Sequence, residues 1–337
     1  MRAFCVAKNN KNISEHASKK PGKIYEVTVD IRQGFNDGGN LSSVSFVKLR
    51  SQNQLQQAIL NSLDLIRFSF PYNPERVVIK PNMCYYWDYS TGQTTDPRFV
   101  GALIDVIRDK TTSNVEISIV ESDASAMRCK YVFKMLGYEQ LAKNRNVRLV
   151  NLSEDSFETV QVKAGKQSFK LPVAKTILQA DFKINVPKIK YTSDPIKLTC
   201  ALKNIFGCIP FPRKSRYHSR LGETIVAANK AMQFDLCVVD GNIVSGIQPR
   251  RLGFLMAGRD PVAVDAAAAK IAGLNPRSIE YLQLAQQEGL GTTHYVEKGL
   301  PLNYFGKYYP RKNLHTKFIG MAYKVTLRLK LGQKLGL

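Results

Sequence analysis

The sequence has no run of about 20 consecutive apolar residues, so nothing in it reads as a membrane-spanning helix. Its opening stretch, MRAFCVAKNNKN, lacks the apolar core of a secretory signal. The cysteines Cys5, Cys84, Cys129, Cys200, Cys208 and Cys237 form no CxxC pair and no ligand-like cluster. These absences predict a cytoplasmic, reducing setting in which the thiols pack as small hydrophobes. Several catalytic signatures are missing too: GxxxxGK[ST], GxGxxG after a strand, GxSxG and HExxH. Their absence argues against a P-loop NTPase, a dinucleotide-binding Rossmann enzyme, a serine hydrolase and a zincin.

Acidic residues are scarce. The 337 residues carry 49 Lys or Arg against 27 Asp or Glu, a net charge of +22. The excess is concentrated. Val186 to Arg220 holds eight basic residues and one acid, and Lys298 to Leu337 holds nine basic residues and none acidic. Two local basic regions, and not a uniformly nucleic-acid-coating surface, are the features to explain. With 44% hydrophobic and 23% charged residues the chain is otherwise of ordinary globular composition.

Apolar periodicity predicts an α/β fold: a layered, mainly parallel sheet with flanking helices and additional antiparallel strands. Buried strands are expected at Arg76 to Lys80, Val115 to Val120, Val147 to Leu152, Asp181 to Val186 and Leu236 to Val239. Helices are expected over Gln54 to Phe68, after the Asp96-Pro97 start, over Lys130 to Leu136, and from Asp260 to Ala272. Ile24 to Ile31 and Val44 to Leu49 alternate like strands, and Gly165 marks a hairpin. The division expected is residues 1–75 as an N-terminal extension packed on the core, 76–297 as the α/β core, and 298–337 as a basic tail.

Open parallel sheets bind ligands beyond the carboxyl ends of their strands. Polar groups cluster at those predicted ends: Lys80-Pro81-Asn82, Glu121-Ser122-Asp123, Pro187-Lys188-Ile189-Lys190 and Asp240-Gly241-Asn242. Asp123 and Asp240 are the carboxylates that could hold a divalent cation, and the lysines could face phosphate or carboxylate. Lys203 and Asn204 sit in a short predicted helix before Gly207, followed by a basic stretch with Phe211, Arg213, Lys214, Arg216, Tyr217, His218 and Arg220. Three readings remain open for that stretch. It is an anion clamp with Arg213 as fork and His218 as proton carrier, a base-stacking surface for nucleic acid, or a solvated charged loop.

In order along the chain come Lys80-Pro81-Asn82, Thr94-Thr95-Asp96-Pro97, Ile184-Asn185-Val186-Pro187-Lys188-Ile189-Lys190, Ala201-Leu202-Lys203-Asn204-Ile205-Phe206-Gly207, His218, Val238-Val239-Asp240-Gly241 and Asp260-Pro261-Val262-Ala263-Val264-Asp265. This ordered set resembles the domain-of-unknown-function family numbered 362, over about residues 76–291. The resemblance implies an α/β domain, in some members joined to ferredoxin-like iron–sulfur modules. This chain has no C-x2-C-x2-C run, so no such cluster is expected. Members often carry Lys-Thr-His where this chain has Lys190-Tyr191-Thr192, so one histidine of the pattern is absent. The shared polar positions are Lys80, Asn82, Asp96, Lys188, Lys190, Lys203, Asn204, His218, Asp240, Asp260 and Asp265, without assigned roles.

The function expected is an enzyme acting on a phosphorylated or carboxylated metabolite, in surface-glycan or cofactor biosynthesis. Lys80, Asn82, Lys188, Lys190, Asn204 and Arg213 would bind the anion, and His218, Lys203 and Asp240 would carry the chemistry. The rival is a non-catalytic module for an acidic partner, an anionic lipid or RNA, with nucleic acid the least favoured partner. Finally, Leu314, Phe318, Met321, Ala322, Val325 and Leu329 share one helical face flanked by Lys317, Lys324 and Arg328, a pattern that suits an anionic membrane surface.

Overall fold

The computed structural model describes residues 24–25, 41–111, 115–192, 196–246 and 248–310. It begins with β1 (Ile24–Tyr25), β2 (Ser42–Lys48), α1 (Leu55–Leu65), β3 (Arg76–Pro81), α2 (Pro97–Lys110), β4 (Glu116–Glu121), α3 (Cys129–Met135), α4 (Tyr138–Asn144) and β5 (Arg148–Asn151). Next come β6 (Phe157–Ala164), β7 (Gln167–Ala174), α5 (Lys175–Leu178), β8 (Phe182–Val186), β9 (Lys190–Tyr191), β10 (Leu198–Thr199) and α6 (Ala201–Phe206). The last described stretch holds α7 (Leu221–Met232), β11 (Leu236–Ser245), β12 (Pro249–Gly258), α8 (Pro261–Ile271), α9 (Glu280–Gln287), β13 (Tyr295–Gly299) and α10 (Asn303–Gly306).

The main sheet runs β13-β2-β12-β11-β8-β3-β4-β5, with β9 and β10 appended beside β11. Along this path every neighbour pairs in parallel except at β12, which is antiparallel to both β11 and β2. A three-stranded sheet, β1-β6-β7, lies apart from it. The expected mixed α/β architecture is therefore present. The strands read as continuous apolar runs because both faces are covered. Val77 and Ile79 join α1, α2, α3 and α4 in one apolar cluster, while Val78, one residue out of phase, joins the cluster of α6, α7, α8, α9 and the small sheet. Lys80 shares the phase of Val78, so its side chain is sent towards α6 and not towards α2.

The helix starts follow from their caps. Asp96 accepts from the Arg98 amide at 2.9 Å ahead of Pro97, and Asp260 accepts from Val262 and Ala263 at 2.8 and 3.0 Å ahead of Pro261. Helix α8 is buried around its whole circumference except at Lys270, which accounts for its run of alanines.

Two expectations need correction. The strand expected to end at Val239 continues through Asp240 and a bulge between Gly241 and Ile243 to Ser245, because β12, not anticipated from sequence, pairs with it throughout. Gly241 permits this: a Cβ there would lie 2.5 Å from the Phe254 ring. Residues 1–75 are also not simply an extension laid on the core, since β2 sits inside the main sheet between β12 and β13. The strand expected over Ile24 to Ile31 is described only at Ile24–Tyr25, and the amphipathic tail segment from Leu314 to Leu329 lies outside the described residues. Among the described residues no helix is long and apolar enough to cross a membrane. Cys129, Cys200, Cys208 and Cys237 are buried free thiols, as their reading as small hydrophobes requires, whereas Cys84 is partly exposed.

Candidate functional site

Parallel pairing brings the ends of β3, β4 and β8 to one edge, next to the middle of β11. Lys80 is in register with Asn185, and Leu236 and Cys237 are in register with Ile184 and Asn185. At that edge the Lys80 ammonium donates to Glu121 Oε2 at 2.8 Å and to the Pro81 carbonyl at 2.7 Å, and both side chains of the pair are almost wholly buried. Lys188 and Asp240 form a second fully buried pair at 3.1 Å. Asp240 also accepts from the amides of Asp96 and Asn242, at 3.0 and 3.1 Å, so it ties the start of α2 to β11.

A network of amides positions α6 over these pairs. Asn204 Nδ2 donates to Asn185 Oδ1 at 2.8 Å and to the Lys80 carbonyl at 3.2 Å, while Asn185 donates to the Ala201 carbonyl at 2.8 Å. Asp265, reaching across from α8, accepts from the Ala201 and Leu202 amides at 2.6 and 3.3 Å and thereby caps α6. Burial pushes the Asp265 carboxyl up to about 7 against the pull of those donors. Gly207 ends the helix, and a Cβ there would stand 3.4 Å from the Lys80 ammonium.

Three further lysines join without a carboxylate partner among the described residues. Lys190 is buried and donates only to the Gln93 carbonyl at 3.3 Å; burial, then the nearby Cys84 thiol against it and the charges of Lys188 and Lys80 with it, holds its ammonium below the usual lysine range. Lys214 donates to Ser122 Oγ and the Asp123 carbonyl at 2.7 and 2.6 Å, and burial likewise lowers it. Among the described residues Lys203 makes no hydrogen bond or ion pair; its ammonium lies 4.9 Å from the Phe206 ring centroid. Burial lowers Lys203 to about 8, with Lys190 and Lys214 adding to the shift and Cys84 opposing it. Five lysines thus meet two carboxylates. Such an excess of buried positive charge is costly for the protein alone and favourable for an anion.

Of the residues singled out from sequence, Lys80, Lys188, Lys190, Lys203, Asn204 and Asp240 come together here. Asn82 adjoins them: its Oδ1 is buried and accepts no hydrogen bond among the described residues, and the same holds for Asn242 Oδ1. Arg213 and His218 are exposed, at the start and within a 3-10 turn over Lys214–Arg220. Asp123 is occupied elsewhere, accepting from the Cys129 amide at 2.9 Å and pairing with Arg128 at 3.0 Å at the head of α3. Among the described residues no group of three or more His, Cys, Asp or Glu is placed to hold a metal ion. Phe211 and Tyr217 pack on Phe157 and Phe206, with the Arg216 guanidinium over both rings, so protein covers part of each.

Glu121, Lys214 and Asn185 stand in the sequence motifs named above, but sequence reasoning assigns none of them a role at the site. Glu121 stands two residues before Asp123, and Lys214 next to Arg213. Glu121 is the last residue of β4 and Asp123 lies beyond it in the loop, while Lys214 follows the exposed Arg213, so only the fold selects which of them faces the site.

The family described as Domain of unknown function (DUF362) matches residues 77–270, more than half of the chain. A thylakoid-associated protein of Synechocystis sp. is 27% identical over 276 residues, covering 76% of this chain and 83% of its own length. Among solved structures, the lactate racemase apoprotein from Thermoanaerobacterium thermosaccharolyticum aligns with a TM-score of 0.45 and 12% identity over 69% of this chain. The chain spans 57% of that protein's length. The match over β3 to α8, the segment that builds the lysine site, means that this chain belongs to the DUF362 family.

Proposed function

We propose that the lysine-lined strand edge binds a small phosphorylated or carboxylated metabolite and acts on it as an enzyme. The observation that carries this reading is Lys203, a partly buried ammonium with no anionic partner among the described residues, whose charge is opposed by those of Lys190 and Lys214. Lys80 and Lys188 are locked by Glu121 and Asp240 and form a fixed cationic wall. Lys190, Lys203 and Lys214 have no carboxylate partner among the described residues and would meet a ligand, and the orphaned Asn82 side-chain Oδ1 would accept from a ligand hydroxyl. A lysine near 8 can give up and recover a proton in neutral solution, which makes Lys203 the proton carrier in place of the exposed His218. The Asp123 and Asp240 oxygens are taken by protein donors, so this reading routes no step through a divalent cation.

Sulfate, whose charge is constant over the relevant range, tests the site. With Lys203 lowered to about 8 in the free protein, affinity should be full below that pH and fall as pH rises through it, approaching tenfold per unit. Calorimetric titrations between neutral and alkaline pH check this, and a flat profile removes Lys203 from the anion site.

The relative's description as thylakoid-associated favours a second reading, about location. We infer a peripheral contact with an anionic membrane through the basic tail. Vesicles of anionic lipid should co-sediment the full chain but not a chain lacking residues 313–337, and equal sedimentation of both would refute the tail as anchor.

A further inference from the structure

The loop that leaves β3 carries two large rings in solvent. Tyr85 is 47% exposed and Trp87 49%, and their ring centroids are 5.3 Å apart at 58°. Exposed large aromatics of this kind are informative in a well-packed protein. The loop is not loose. Its Cys84 amide donates to Thr94 Oγ1 at 3.4 Å, and the Tyr86 hydroxyl accepts from the Arg128 amide at 3.1 Å. Beyond it, Asp88 caps the 3-10 turn Tyr89–Thr91, and Gly92, at φ +69°, lies so close to Val244 that a Cβ would be 2.5 Å from its backbone. Tyr85 itself is held at φ 52°, a left-handed conformation that residues with a Cβ disfavour.

The loop is tied to one of the cations: Lys190 donates to the carbonyl of Gln93, and the next residue, Thr94, accepts from the Cys84 amide. Cys84 acts electrostatically on both Lys190 and Lys203, and the Trp87 amide closes a turn onto the Cys84 carbonyl at 3.4 Å. A four-residue turn keeps its ends within about 7 Å, so Trp87 stands one turn away from the anion site. Three of the five lysines lack a carboxylate partner among the described residues, more positive charge than a single carboxylate would neutralise.

The geometry points to a nucleotide as the ligand of this site, its phosphoryl groups held by Lys190, Lys203 and Lys214 and its base stacked on Trp87 beside Tyr85. This rests on the anion-site reading and adds the chemical class of the ligand. A diphosphate supplies the charge that the cluster calls for, and a planar base supplies a face for a half-exposed indole. Lys80 and Lys188, already neutralised, set the depth to which the phosphates can enter.

Trp87 is the chain's one tryptophan, so its emission reports on this loop directly. The full-length protein should be titrated with inorganic pyrophosphate, ADP and UDP by calorimetry and by tryptophan emission. We expect both nucleotides to bind roughly tenfold more tightly than pyrophosphate and to quench Trp87, the stacking share of the affinity. Trp87→Ala should lose that advantage while holding pyrophosphate within about twofold of the parent, and Trp87→Phe should keep most of it. Nucleotides that bind no better than pyrophosphate, with emission unchanged, overturn the stacking proposal but leave the anion site standing. If neither nucleotide nor pyrophosphate binds, both readings fall. An emission shift on phosphatidylglycerol vesicles without any response to ADP or UDP would assign the ring pair to a membrane surface and overturn the nucleotide.

Discussion

Replacing Lys80 with methionine is expected to destabilise the protein by about 3–5 kcal/mol, because it leaves the Glu121 carboxylate buried without its cation. The side chains of the pair are 1% and 4% exposed, so water cannot substitute for the lost ammonium. The Pro81 carbonyl also loses its donor, which adds to the penalty. The double variant Lys80→Met with Glu121→Gln should recover a large part of the loss, since it removes the orphaned charge as well as its partner. Urea unfolding of the parent and both variants measures this. A Lys80→Met midpoint equal to the parent's would mean that the pair contributes nothing to holding β3 and β4 together at the site. Gly207 packs close to this cation: a Cβ there would lie 3.4 Å from the Lys80 ammonium.

Replacing Lys203 with methionine should act in the opposite sense on stability and strongly on binding. Sulfate affinity at neutral pH is expected to fall by about 1.5–3 kcal/mol, the range for a hydrogen bond to a charged group. Stability should hold or rise. The folded-state value of Lys203 is lowered to about 8 from the ordinary 10.5, so folding disfavours its charged form below that pH, and the penalty is relieved as pH rises from 8 towards 10.5. Methionine keeps the length of the stem over Phe206 and removes the charge that folding opposes. At neutral pH the variant should therefore unfold at the same urea concentration as the parent or a higher one, with the gap closing in alkaline solution. A variant that is clearly less stable than the parent at neutral pH would show that Lys203 has a structural partner and is not held in readiness for a ligand.

Local chemistry alone determined much of this protein. The Asp96-Pro97 and Asp260-Pro261 starts specify α2 and α8 because a carboxylate cap and a proline in the first turn need nothing from the rest of the chain. The apolar runs at β3, β4 and β8 specify strands covered on both faces, and the parallel α/β class follows from their alternation with amphipathic helices. The lysines ending β3 and following β8 were legible as a site for the same reason, since strand ends converge in such a sheet. Only the tertiary structure decided the rest. Strand β12 has arginines at its start; it follows β11 in a hairpin but is fixed inside the sheet by β2, about two hundred residues earlier, a pairing that no local pattern announces. Pairing with β12 carries β11 past Asp240 and turns a presumed strand-end carboxylate into the buried partner of Lys188. The choice of Glu121 over Asp123, and of Lys214 over Arg213 and His218, depends on where β4 ends and on how the 3-10 turn is set against the site. A one-residue change of phase on a strand reverses the face, and in a 3-10 turn it rotates the side chain by about 120°, so residue type cannot distinguish neighbours of like charge.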